Sequence, residues 1–168
     1  MKPLLLAALL TVIAAPAFAQ APPPPPQVLF ASAADVEAAM ARAKAAHKGD
    51  DTNTIEVIAR VGTYPVQLEY RTGATPPSVH TGQAELLYIQ DGGCTFVMGG
   101  TLVNSKAGNG GNLSGTGVDG GATRKLAKGD FVLVPAGTPH WITGVDGGRL
   151  VMITLHMPQT PLNGASAQ

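Results

Sequence analysis

Gly129-Asp130-Phe131-Val132-Leu133-Val134-Pro135-Ala136-Gly137-Thr138-Pro139-His140 reads as turn, strand, rigid turn and then a histidine heading a new strand. Lys128-Gly129-Asp130 reverses the chain and Phe131 to Pro135 is extended and apolar. Two prolines and Gly137 then lower the entropy of holding the His140 imidazole in one direction. Upstream, His80 and Glu85 are separated by Thr81-Gly82-Gln83-Ala84, a link that can turn and deliver both side chains to one point. Two neutral imidazoles and a carboxylate suit a single divalent ion of Fe, Mn, Cu, Ni or Zn. Set on one face, they leave the opposite coordination positions open.

Outward from these residues the pattern is period two. Ile55, Val57, Ala59 and Val61 alternate with Glu56 and Arg60, and Val66, Leu68 and Tyr70 alternate with Gln67, Glu69 and Arg71. Further strands are expected at Ala84 to Gln90, Cys94 to Met98, Phe131 to Pro135, His140 to Thr143 and Leu150 to His156. Turns are expected at Gly62-Thr63, Thr72-Gly73, Asp91-Gly92-Gly93, Lys128-Gly129-Asp130 and Asp146-Gly147-Gly148. About seven or eight short strands with no helix between them make an all-β, antiparallel fold, and a jelly-roll β-barrel is the economical closure. One helix precedes it. Ser32 and Asp35 have capping-box spacing, Val36, Met40 and Ala43 share a face, and Gly49 stops a helix expected from about Ala33 to Lys48. His47, in its last turn, reads as structural or exposed.

The chain divides into a secretory signal peptide at 1–19, a proline-rich linker at 20–31, the helix at 32–49, the barrel at 50–160 and a flexible tail at 161–168. The leader rests on Lys2, the apolar run from Leu4 to Ala15 and the small-x-small site Ala17-Phe18-Ala19. That run is too short to span a bilayer, so the product is expected to be exported, periplasmic or secreted, and soluble. Pro22 to Pro26 should form an extended spacer. Between 99 and 121 nine residues are glycine, which predicts a long loop of the kind that serves as a lid. Its Gly108-Asn109-Gly110 lacks the flanks of a phosphate-cradling loop, and Asn112-Leu113-Ser114 is formally a glycosylation acceptor. With 11 basic and 11 acidic side chains and no basic patch, neither nucleic acid nor an anionic membrane is an expected partner. Cys94 is the sole cysteine, so no internal disulfide forms, and it reads as a small buried hydrophobe.

At these residues the chain resembles the cupin superfamily. Gly129, Pro135, Gly137 and His140 meet the second cupin motif, with Gly144 where the final Asn is usual. The first motif is met by His80, by Glu85 and by Gly92 with six residues between them, while Ser78 stands at the first histidine position and Gly73 lies one residue off the strict spacing. The resemblance spans about Val66 to His156. It implies a small jelly-roll barrel, often a homodimer, with one metal in the barrel mouth held by histidines and a glutamate. On this chain the ligands implied are His80, Glu85 and His140. A serine hydroxyl is a poor ligand for late first-row ions, so Ser78 is expected to hydrogen-bond a ligand, water or substrate. Gln83 and His156 are further candidates for contact with a ligand or substrate, His156 as a proton carrier, and Arg71 for contact with a bound anion. Strand parity points Trp141 and Tyr88 away from the metal and Leu87, Ile89 and Ile142 into an apolar pocket.

Two functional classes fit. One is a metal-dependent enzyme on a small organic molecule, of dioxygenase, isomerase or lyase type, with Glu85 also serving as a base. The other is a non-catalytic module that binds a metal or small ligand; beside both stands a metal-free barrel whose histidines are satisfied by Glu85 and backbone.

Overall fold

Ser32 starts the helix as the capping-box spacing predicts. Its hydroxyl accepts from the Asp35 amide at 3.2 Å while its own amide donates to the Asp35 carboxylate at 2.9 Å. Helix α1 (Ala33–Ala46) follows in the computed structural model, which describes residues 26–159. The leader read at 1–19, most of the proline run and the tail at 161–168 lie outside the described residues. At the far end of α1 His47 leaves helical geometry and is clipped by two threonines, Thr54 Oγ1 at 3.0 Å and Thr72 Oγ1 at 3.1 Å. It is a structural residue that ties the helix to the sheet below.

The rest is strand: β1 (Asn53–Val61), β2 (Tyr64–Arg71), β3 (Ser78–Val79), β4 (Gln83–Met98), β5 (Thr101–Val103), β6 (Lys106–Ala107), β7 (Leu113–Ser114), β8 (Gly117–Asp119), β9 (Ala122–Ala127), β10 (Phe131–Val134) and β11 (His140–Pro158). The pairings are antiparallel and organised by the two long strands. β4 and β11 pair along their full length, from Gln83 opposite Pro158 to Met98 opposite His140. One half of this ribbon carries β2, β1 and β10; the other carries β9, β3, β7 and β6. Two sheets that share a pair of strands make the cupin-like jelly roll, with one N-terminal helix outside it.

Two expected turns are corrected here. Asp91-Gly92-Gly93 and Asp146-Gly147-Gly148 do not reverse the chain; they are bulges facing one another within β4 and β11, where the register slips between Asp146 and Leu150. Gly92, Gly147 and Gly148 have positive φ, and a Cβ on Gly92 would lie 2.2 Å from the Arg149 carbonyl oxygen. Glycine lets the ribbon bend from one sheet into the other instead of ending it.

The bend separates two apolar layers. Ala39 and Ala43 of α1 pack on Leu68, Tyr70 and Val151, the outer face of the first sheet. Between the sheets lie Leu87, Ile89, Cys94, Phe96, Leu126, Val134, Ile142, Leu150 and Met152. Full burial of a Leu or Phe side chain contributes about 1.5–3 kcal/mol, so this layer holds the barrel closed. Cys94 is buried there as a free thiol, the small hydrophobe expected.

The glycine-rich segment is also more ordered than the loop expected. β5 and β8 form a small ladder, Asn109–Gly111 makes a 3-10 turn, and β7 adds to the edge of β3 through Ser78 opposite Ser114 and Val79 opposite Leu113. Poor in apolar side chains, it is held by backbone pairing with its neighbours.

Candidate metal centre

Three imidazoles gather around a single carboxylate. Glu85, on β4, is 4% exposed. Its Oε2 is 3.0 Å from Nε2 of His140, at the head of β11, and 3.4 Å from Nε2 of His80, between β3 and β4. Its Oε1 is 3.5 Å from Nε2 of His156, which lies directly opposite Glu85 in the β4–β11 register. His156 and His80 also face each other, Nε2 to Nε2, at 3.2 Å. Among the described residues, His80, Glu85 and His156 have donor atoms all within 4.8 Å of one another. The trio read from the sequence and this compact trio differ in one histidine.

Each ligand candidate has a local cause. His140 Nδ1 is 3.2 Å from the Thr138 carbonyl oxygen, which only accepts; Nδ1 therefore carries the proton and Nε2 presents its lone pair to the site. The Pro135–Pro139 turn is fixed in turn by the Gly137 amide donating to the His80 carbonyl at 2.8 Å, which links the two halves of the sequence constellation through backbone. Ser78 pairs with His140 across β3 and β11, and its hydroxyl lies in hydrogen-bond contact with His140 Nε2 at 3.1 Å.

The electrostatics favour an ionised Glu85. Burial alone would raise its carboxyl, but the His140 and His80 imidazoles beside it, and the charge that His140 and His156 bring when protonated, outweigh that and hold it well below the usual carboxylate range. For His80, burial disfavours the imidazolium, yet Glu85 beside it and the Asn112 side chain lift it above the ordinary histidine value. His156 goes the other way: burial lowers it, Glu85 offsets this in part, and His80 adds to the lowering.

The cluster floors a cavity of about 220 Å³. Leu87, Phe96, Ile142 and Met152 give it an apolar wall, and Asn53, Gln67, Glu69, Arg71 and Thr75 a polar one. Glu69 is buried and fully engaged: Arg71 Nη2 donates to it at 2.7 Å, Asn53 Nδ2 at 2.8 Å and Thr154 Oγ1 at 2.8 Å. Arg71 directs another N–H to Thr75 Oγ1 at 2.7 Å.

Of the residues singled out in the sequence, His80, Glu85, His140, Ser78 and His156 come together here. Gln83 does not: it lies further out on β4, opposite Pro158, and is not part of the cavity wall. Ile89 is in the core and not on the cavity. Trp141, expected to point away, borders the cavity, because its indole N–H donates to the Thr75 carbonyl at 2.6 Å and so closes the rim. Asn112 reads in sequence only as a glycosylation acceptor. The pairing of β7 with β3 brings it against His80, and no local signal could have shown that.

Comparisons with known proteins agree with this architecture. The chain matches the Cupin family over residues 51–166. The protein TT1209 of Thermus thermophilus superposes with a TM-score of 0.50 at 16% identity, covering 71% of this chain and 93% of that one. A putative mannose-6-phosphate isomerase of Ralstonia eutropha JMP134 gives 0.47 at 18% identity, over 67% and 91% of the two chains. KdgF of a Halomonas species gives 0.46 at 15%, over 67% and 86%. No curated protein matches the sequence. With two thirds of its length covered by the family match and the jelly roll around it, this chain belongs to the cupin family.

Proposed function

We propose that this protein is an exported cupin that holds one divalent ion, Fe, Mn, Cu, Ni or Zn, at His80, Glu85 and His140, and acts as a metal-dependent enzyme on a small organic molecule. The observation that carries this reading is Glu85 Oε2: buried, without a hydrogen bond, and facing two imidazole Nε2 atoms at 3.0 and 3.4 Å. An unsatisfied buried carboxylate oxygen is costly, and a cation shared with those nitrogens removes the cost. At metal–ligand distances of about 2.0–2.1 Å, two ligands 90° apart are about 3.0 Å from one another and two at the tetrahedral angle about 3.4 Å. Both Glu85–imidazole pairs therefore fit.

When bound, such an ion supplies Lewis acidity or, for a redox metal, activation of dioxygen, which accommodates dioxygenase, isomerase or lyase chemistry. The chain's own residues do the rest. Thr138 fixes the His140 tautomer through Nδ1. Leu87, Phe96, Ile142 and Met152 keep water from one side of the cavity, which strengthens every polar contact inside it. Arg71, held by Glu69 and Thr75, retains N–H groups for a substrate oxygen. Glu85, ionised and central, can accept a substrate proton, although the imidazoles that hold its carboxyl low make it a weak base. Elemental analysis of the protein purified from the exported fraction of its cell tests the binding step; one equivalent of a first-row ion is expected. Oxygen uptake or turnover over aromatic, keto-acid and sugar substrates tests the enzyme step. Protein that carries no ion and takes none up would overturn the reading.

A further inference from the structure

We infer that His156 is itself a metal ligand, so that the site is built from three imidazoles and one carboxylate, with the far end of β11 supplying the nitrogen that Ser78 cannot. This rests on the metal-binding reading above and deepens it.

Ser78 occupies a position on β3 that reaches the site, as its hydrogen bond to His140 Nε2 at 3.1 Å shows. A neutral hydroxyl there is a weak donor for late first-row ions, so the position contributes geometry without much affinity. His156 comes in from the opposite sheet. Cross-strand partners in an antiparallel pair carry their side chains on one face about 4.5–5.5 Å apart at Cβ, and His156 is the direct partner of Glu85. Its face is the cavity face: Thr154, two residues earlier, donates to Glu69 Oε1, and Met152, two before that, lines the cavity wall.

The distances are those of ligands on a common ion. Nε2 of His156 is 3.2 Å from Nε2 of His80 and 3.5 Å from Glu85 Oε1. Both resemble the about 3.0–3.4 Å edges of octahedral and tetrahedral sites. As a plain contact, two imidazole nitrogens that meet head-on need one proton between them, and they leave Glu85 Oε2 unbonded, together with the buried Nδ1 of His80. With an ion between them, both Nε2 atoms and the Glu85 carboxylate present lone pairs to it, and Nδ1 of His80 becomes that ring's proton-bearing nitrogen.

Copper and zinc titrations of metal-free protein provide the test. In the electron paramagnetic resonance spectrum of the Cu(II)-loaded wild type, nitrogen hyperfine splitting should count three imidazoles; a count of two would overturn the assignment without any mutation. His156→Ala should drop that count to two and weaken Zn(II) binding at least tenfold, with circular dichroism of the metal-free form unchanged. Moving the imidazole back in the double variant Ser78→His with His156→Ala should restore the third nitrogen and most of the affinity. A His156→Ala protein that keeps the wild-type spectrum and affinity would show that His156 is not a ligand, while the metal-binding reading stood. A wild type that binds neither ion would instead sink that reading and this inference with it.

Discussion

His140 and His156 begin and nearly end the same strand, and they reach the same carboxylate by different means. A straight strand rises about 3.3 Å per residue, which would set them about 50 Å apart. In the folded chain their Nε2 atoms are 3.0 Å and 3.5 Å from the two oxygens of Glu85. His140 belongs to the sheet that carries β3, and a proline-rich turn aims it. His156 belongs to the sheet that carries β2, and only its register opposite Glu85 aims it. The site therefore lies across the seam of two sheets, and its geometry depends on the bend in β4 and β11 as much as on the residues at its ends.

The largest effect should follow from removing the rigidly aimed end. His140→Ala is expected to cost most of the bound metal, beyond the about 10–100-fold lost when a residue that merely orients a ligand is replaced. The barrel should stay folded, because the core residues between the sheets are untouched. Metal content by elemental analysis, beside circular dichroism, checks both halves; metal content unchanged by the substitution would remove His140 from the ligand set.

Next in size is the bend. Gly92 has φ of 80°, and a Cβ there would meet the Arg149 carbonyl at 2.2 Å. Left-handed geometry alone costs a non-glycine residue about 1–2 kcal/mol, and a backbone clash adds to it, so Gly92→Ala should lower unfolding stability by about 2–4 kcal/mol. Gly82→Ala is the control, since its φ is ordinary and nothing lies within 4 Å of the added carbon. Urea unfolding of the two variants, with metal affinity measured alongside, separates a seam that positions the site from one that merely connects strands. Equal midpoints for both variants would mean the bend is not the strained joint described here.

Much of this is legible in the residues themselves. Ser32 and Asp35 place the helix start, the alternation through Ile55–Val61 and Val66–Arg71 gives two strands, and the Pro135–Pro139 turn marks His140, because each of these signals is set by neighbours within a few residues. What stays hidden depends on partners distant in sequence. A glycine pair marks a reversal or a bulge equally well, and only the strand alongside decides; hence Asp91-Gly92-Gly93 and Asp146-Gly147-Gly148 read as turns and fold as bulges. The 99–121 segment has the composition of a loop, yet the exposed edge of β3 recruits Leu113 and Ser114 into the sheet and Asn112 arrives with them. His156 follows Val151, Ile153 and Leu155 at the opposite parity, a signal that puts it on a face without saying that Glu85 is across from it. Gln83 shares that parity with Glu85 but sits one step too far out.

The smallest effect concerns a residue beneath the seam. Cys94 is paired with Val145 and Leu126, next to Gly93, and is wholly buried. Burial pushes its thiol up to about 11, with the Arg71 charge only partly opposing this. Only the thiolate attacks a disulfide reagent. At pH 8 about one thiol in a thousand is then ionised, against about one in four for a free cysteine near pKa 8.5. Native protein should therefore resist an aromatic disulfide reagent over minutes at pH 8 and react with one equivalent at once in denaturant. If Gly92→Ala loosens the ribbon where the two sheets meet, Cys94 should label faster in that variant than in Gly82→Ala, because the bulge opens the strand two residues from the thiol. Equal rates in the two variants would mean that the strain at Gly92 is absorbed without opening the layer between the sheets, and the joint would then be stiff on both sides of the bend.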